Sequence, residues 1–273
     1  RTLNYAEIEQ KSADLAAYLR HGLGLNPGDR VAIMLPNLLQ YPIAVLGVQR
    51  ADLVAVLVNP LYTPRELRHQ LADSGAVVLI VLDNFGQVAA ESLDGTAVKQ
   101  VITTRVGDLL PWPKSVLVDL SLKYVKKVIP PFSIAGAVRW TSALAQGSRL
   151  PRVQAHAKAG DVAQLQYTGG TTGISKGAAL SHTALMANVA ACEQWMGRAL
   201  DPDKEIGLVC LPIYHIAAYT NMLYAWTHGL HAVLITNPRD IPGLVAAFIQ
   251  YRPSIFAGVN TLYDALLNSA DFV

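Results

Sequence analysis

The chain has 273 residues, 52% hydrophobic and 15% charged, with a formal net charge of +2. That length suits one large or two moderate domains, and a charged share well below the usual quarter implies strands buried on both faces. So small a net charge supplies no global field for nucleic acid, and any basic feature must be local. Short apolar runs then alternate with amphipathic segments: VAIML (31–35), LVAVLV (53–58), VVLIVL (77–82) and KQVITT (99–104) are expected strands, with helices between them. The link TPRELRHQLADSG carries its own helix signals: Thr63 caps, Pro64 fits the first position, Glu66 completes a capping box and Gly75 stops the helix. Strand, helix, strand repeated in this way implies parallel pairing through right-handed crossovers.

Residues 105–160 break the rhythm with prolines 111, 113, 130, 131 and 151. Within them, SVLVDLSLKYVKKVIPPF (115–132) sets Leu117, Leu120, Tyr124 and Val128 on one helical face beside Lys123, Lys126 and Lys127. This segment is either a packed surface helix or an attachment to an anionic membrane surface. The strand grammar resumes with VAQLQYT (162–168), EIGLVCL (205–211), HAVLIT (231–236) and SIFAGV (254–259). The expected organisation is a first α/β lobe over 1–160, including the basic connecting segment, and a second over 161–273.

The longest apolar strand candidate, VVLIVL, is far short of a bilayer span, so no transmembrane helix is expected. Cys192 and Cys210 lie apart in apolar surroundings, without metal spacing or a disulfide framework. They read as two buried free thiols in a reducing, cytoplasmic setting. Opening on Arg1 and stopping at NSADFV after a helical pattern, the chain reads as a fragment.

Between the strand ending at Thr168 and a helix expected from near His182 runs the stretch YTGGTTGISKG (167–177). Its glycines let backbone amides approach an anion closely, its threonine hydroxyls add donors, and Lys176 adds a mobile positive charge. Polyphosphate is the natural ligand. The Walker A pattern fails because Ser175 precedes Lys176 and Gly177 follows it, and the dinucleotide fingerprint fails on the spacing of Gly169, Gly170 and Gly173.

This loop resembles the phosphate-binding signature of the acyl-adenylate-forming superfamily. LPIYHIAA (211–218), LITNPRDIPGLV (234–245), GVNTLYDALLN (258–268) and NPLYTPREL (59–67) together are similar to the long-chain fatty-acid–CoA ligase branch. The resemblance runs nearly end to end. It implies an α/β fold of two mostly parallel sheets flanked by helices, as in the N-terminal domain of acyl-CoA synthetases, here truncated. It also implies a two-step ligase using ATP, Mg2+ and coenzyme A on a long-chain fatty acid. An aromatic- or medium-chain acid–CoA ligase of the same superfamily, or a non-catalytic nucleotide-binding fragment, is the alternative.

Carried over residue by residue, the resemblance assigns nucleotide binding to Tyr167, Thr168, Gly169, Gly170, Thr171, Thr172, Gly173, Lys176 and Gly177, with Thr168 also helping to hold the metal. Lys176, Thr172 and His215 are the expected catalytic residues. On spacing alone His215 is a structural histidine; the family motif instead sets Tyr214 and His215 around the reacting carboxylate. Gly258 and Val259 are a core strand turning into a helix, part of an acyl tunnel wall, or both. The family's adenine-contacting aromatic stretch, metal-binding glutamate, ribose-binding aspartate and C-terminal lysine would lie beyond Val273. A sheet cut short there would expose apolar surface and favour self-association, as in a homo-dimer.

Overall fold

The computed structural model describes residues 1–168, 175–197, 200–201 and 204–272. Contacts group the chain into two compact units, one of Arg1–Leu35 with Leu39–His182, the other of Pro36–Leu38 with Thr183–Val273.

Among the described residues, the first unit holds a seven-stranded sheet of β1 (Arg30–Met34), β2 (Val54–Leu57), β3 (Val78–Leu82), β4 (Gln100–Thr104), β5 (Val138–Arg139), β6 (Val162–Thr168) and β7 (Lys176–Ser181). Their order is β5-β4-β3-β1-β2-β6-β7. Every neighbouring pair is parallel except β6 and β7, which form an antiparallel hairpin. Side chains on a strand alternate between faces. Ala32, Met34, Val56, Leu79 and Val81 pack against Leu67 and Leu71 of α3 (Pro64–Ser74) and Ala89 of α4 (Gly86–Ser92). The intervening Val31 and Ile33 are equally buried. On that side α1 (Tyr5–Ala17), α2 (Gln40–Arg50) and α6 (Trp140–Gly147) pack together, and α2 and α6 touch the strands. Burial on both faces is what continuous apolar strands without alternation require.

Helix α3 forms as its sequence demands. Thr63 caps it and Glu66 returns the bond to the Thr63 backbone; Pro64 occupies its first turn, and Gly75 ends it in the left-handed region at φ 61°. The expected helix within 115–132 is also present, as α5 (Lys114–Leu120) continued by a wider turn over Ser121–Val125.

In the second unit β8 (Ile206–Val209), β9 (His231–Leu234) and β10 (Ile255–Ala257) form a parallel sheet of order β10-β8-β9. Leu208 and Cys210 pack with α9 (Ile241–Tyr251) and α10 (Asn260–Leu267) through Leu244, Val245, Leu262 and Leu266. A second cluster joins Val189 of α7 (His182–Met196) to Tyr224 and Ala225 of α8 (Ile216–His228), with Ile255 against it.

All eight expected strands are present, and the two mostly parallel sheets flanked by helices match the expected fold class. The division of the chain differs from the expected 160/161 boundary. Strand β6 joins the first sheet beside β2, with Ala55 opposite Gln164, so the compact unit runs on to His182. The glycine-rich stretch is followed by β7 before the helix at His182 begins. Cys210 is buried as expected, but Cys192 is only half-buried, on α7, where its Sγ lies 3.8 Å from Asn188 Oδ1 one helical turn away.

Candidate functional site

On the first unit the site begins where β6 and β7 diverge. Their register sets Thr168 opposite Lys176 and Tyr167 opposite Gly177. Directly opposed residues share a face with Cβ atoms about 5 Å apart, so the Thr168 hydroxyl and the Lys176 ammonium, both exposed, are brought together at the root of the loop. Gly169, Gly170, Thr171, Thr172 and Gly173 lie outside the described residues.

Helix α3 holds both roots. The Tyr167 hydroxyl donates to Asp73 at 2.5 Å, and burial together with that carboxylate pushes the phenol well above its ordinary pKa. His69 Nε2 lies 3.2 Å from the Ser175 carbonyl. A carbonyl only accepts, so that nitrogen carries the proton. The Tyr62 hydroxyl also bonds Ser175. Gly177 is required by a close approach: a Cβ there would lie 2.8 Å from the Tyr167 ring.

On the second unit, Tyr214 and His215 follow β8, and Gly258 and Val259 follow β10. These strands are parallel neighbours, so both pairs sit at the carboxyl edge of the sheet, where open α/β sheets bind ligands. Tyr214 is buried and its ring lies 4.4 Å, centroid to centroid, from that of the exposed His215. Although the residue is exposed, the imidazole is partly covered, and that partial loss of water lowers its pKa below the usual histidine value. His215 is also the residue preceding α8, its carbonyl accepting from Tyr219. The Gly258 amide donates to the Tyr263 hydroxyl at 3.0 Å, and Val259 is exposed at the start of α10.

Asn37, which sequence reasoning missed, fixes this loop. Nearly fully buried, it donates through Nδ2 to the carbonyls of Val209 and Leu211 at 3.2 and 3.0 Å, and its Oδ1 accepts from the Ile213 amide at 2.9 Å. Its partners lie more than 170 residues away, as the separation of 172 from Val209 illustrates. Local pattern carries no trace of them.

The second unit also holds a partly open apolar cavity of about 210 Å³, lined by Leu208, Cys210, Leu211, Ala225, Ile255 and Phe256 among others. Burial pushes the Cys210 thiol up to about 12, which makes it a small apolar wall group and no nucleophile. Tyr214, His215, Gly258 and Val259 do not line this cavity, although Ala257, just before Gly258, and Leu211, three residues before Tyr214, do. Among the described residues no cluster of His, Cys, Asp or Glu could hold a metal ion, and no helix is long and apolar enough to cross a membrane.

Comparison with known proteins places this architecture. A long-chain-fatty-acid–CoA ligase of Salmonella typhimurium is 47% identical over 271 residues, 99% of this chain and 48% of that protein. One of Haemophilus influenzae is 45% identical over 276 residues, covering 100% of this chain and 49% of its own length. The chain spans about half the length of these curated relatives. Among solved structures, a long-chain-fatty-acid–CoA ligase from Archaeoglobus fulgidus matches with a TM-score of 0.76 at 24% identity, covering 98% of this chain and 48% of that one, and it speaks for the fold alone. Residues 1–273 match the profile of the AMP-binding enzymes, and the chain belongs to that family.

Proposed function

We propose that the protein is an AMP-forming ligase that activates a long-chain fatty acid. A fatty carboxylate oxygen attacks the α-phosphorus of ATP, the bond to pyrophosphate breaks, and acyl-AMP forms. The thiolate of coenzyme A then attacks the acyl carbon and AMP leaves. The observation that carries this reading is the Thr168–Lys176 pair at the root of a glycine-rich hairpin in a chain 47% identical to relatives that bear this activity in their name.

A carboxylate approaching a polyanion is repelled, so the chain must neutralise phosphate charge and hold the two reactants in line. Lys176 supplies the positive charge. The hydroxyl of Thr168 and the backbone amides of Gly169, Gly170 and Gly173 supply donors, with Thr171 and Thr172 beside them. Tyr214 and His215 border the reacting carboxylate, Gly258 and Val259 border the acyl chain, and the apolar cavity holds its tail. Partial burial of the His215 imidazole lowers its pKa and so disfavours the charged form that would blunt the carboxylate's attack. Mg2+ takes few protein ligands and relies on substrate phosphates, so one hydroxyl, that of Thr168, fits it without a carboxylate cage. When bound, the ion offsets phosphate charge. We also read the protein as peripheral on an anionic membrane, because its substrate partitions into lipid.

The test is fatty-acid-dependent ATP–pyrophosphate exchange in the whole protein. Lys176→Ala should slow it 10²- to 10³-fold, about 2–4 kcal/mol of lost stabilisation of developing charge, with little change in fatty-acid affinity. Unchanged exchange would remove the hairpin from the mechanism.

A further inference from the structure

The segment from Trp112 to Val128 is turned outward. Neither α5 nor the turn Ser121–Val125 that continues it has a buried residue. Trp112 is 82% exposed, Val125 77%, Tyr124 62% and Leu117 61%, with Leu120 and Val128 also open. Surface apolar residues are ordinarily scattered singly; a contiguous set of this size marks an interaction surface. Around it stand Lys114, Lys123, Lys126 and Lys127, all exposed.

The single carboxylate of the segment is turned inward. Asp119 accepts from the Gly107 amide at 2.9 Å, and its burial raises its pKa. The C-terminal end is tied down by Asn84, whose Nδ2 donates to the Val128 carbonyl at 3.2 Å. The segment is thus anchored at its middle and at its C-terminal end, with its apolar side chains and lysines facing out.

The geometry points to an anionic phospholipid surface as the occupant of this patch. Aromatic and aliphatic side chains among lysines suit the boundary between headgroup and acyl chain, where tails cover the apolar groups and anionic headgroups meet the ammonium ions. A second copy of the chain suits it poorly, because a two-fold interface would set the same lysines against one another. This deepens the peripheral reading above but is independent of the ligase chemistry: vesicle binding is read without turnover, so either can fail alone.

The experiment is co-sedimentation of the chain with vesicles of phosphatidylcholine, with and without phosphatidylglycerol, alongside tryptophan emission. Binding should require the anionic lipid, weaken with salt, and shift emission to the blue, a shift that Trp112→Phe removes. The combined Lys123→Ala, Lys126→Ala and Lys127→Ala variant should partition about a hundredfold less, with unchanged circular dichroism because every altered side chain is exposed. Val125→Asp should weaken binding at unchanged charge on the lysines. Equal binding of the triple variant, equal binding to neutral vesicles, or no binding by the parent chain would overturn the proposal. So would a dimer that Val125→Asp dissolves, which would give the patch to a second copy.

Discussion

Asn37 shows how one buried amide can organise a loop contributed by a distant part of the chain. Its three hydrogen bonds satisfy two carbonyls and one amide in the stretch that leads from β8 to Tyr214 and His215. Asn37→Ala removes all three bonds at once; the Val209 carbonyl keeps the Ile235 amide, but the buried Ile213 amide loses its acceptor, at a cost of about 1–3 kcal/mol. The variant should therefore unfold about 1–3 kcal/mol more easily in urea, and Asn37→Asp should gain nothing over it, because a buried carboxylate would face the Val209 and Leu211 carbonyl oxygens in place of the donating amide. An Asn37→Ala midpoint equal to the parent's would mean that solvent replaces these bonds and the loop needs no such clamp. The stretch that carries Tyr214 and His215 stands out in the sequence because it is contiguous. Asn37 does not, because hydrogen-bond partners so far along the chain leave no periodicity or spacing behind.

Elements were legible where local chemistry decides them. Helix α3 is the clearest case, since cap, proline, capping box and terminal glycine all occupy the positions that its sequence announces. Thr63→Ala deletes the cap and should cost about 1 kcal/mol, lowering the thermal midpoint. The same helix carries Asp73 and His69 to the roots of the hairpin, so in the whole protein the loss should also raise the ATP concentration needed for half-maximal exchange. A stability change without that effect would limit α3 to packing. Strands β5 and β7 escaped sequence reading for physical reasons. β5 is two residues long, and β7, KGAALS, consists mostly of small exposed residues with weak strand preference. It is a strand because β6 pairs with it, not because its own residues favour extension.

At the scale of the whole molecule, the two units bury their sheets to different depths. β2 and β3 are buried along their entire length and β1 along all but its first residue, whereas β9 begins exposed and is otherwise half-buried, and all of β10 is half-buried. The composition signalled strands covered on both faces, and that holds for the centre of the first sheet. It could not assign β6 and β7 to that sheet, because the β2–β6 pairing is long-range and overrides the break in rhythm at 105–160. Backbone amides open most readily where few apolar contacts cover them, and binding regions draw on that low-stability end. Hydrogen exchange of the native chain should therefore find the β1, β2 and β3 amides the slowest, with those of β9 and β10 at least about tenfold less protected, equivalent to roughly 1.4 kcal/mol in opening free energy. Binding of a fatty acid in the cavity beside β10 should raise protection there and leave β1 to β3 unchanged, since only the second unit lines that cavity. Equal protection of β9 and β2 without ligand would show that the second sheet is as firmly packed as the first, and that a binding surface here is not taken from the weaker part of the fold.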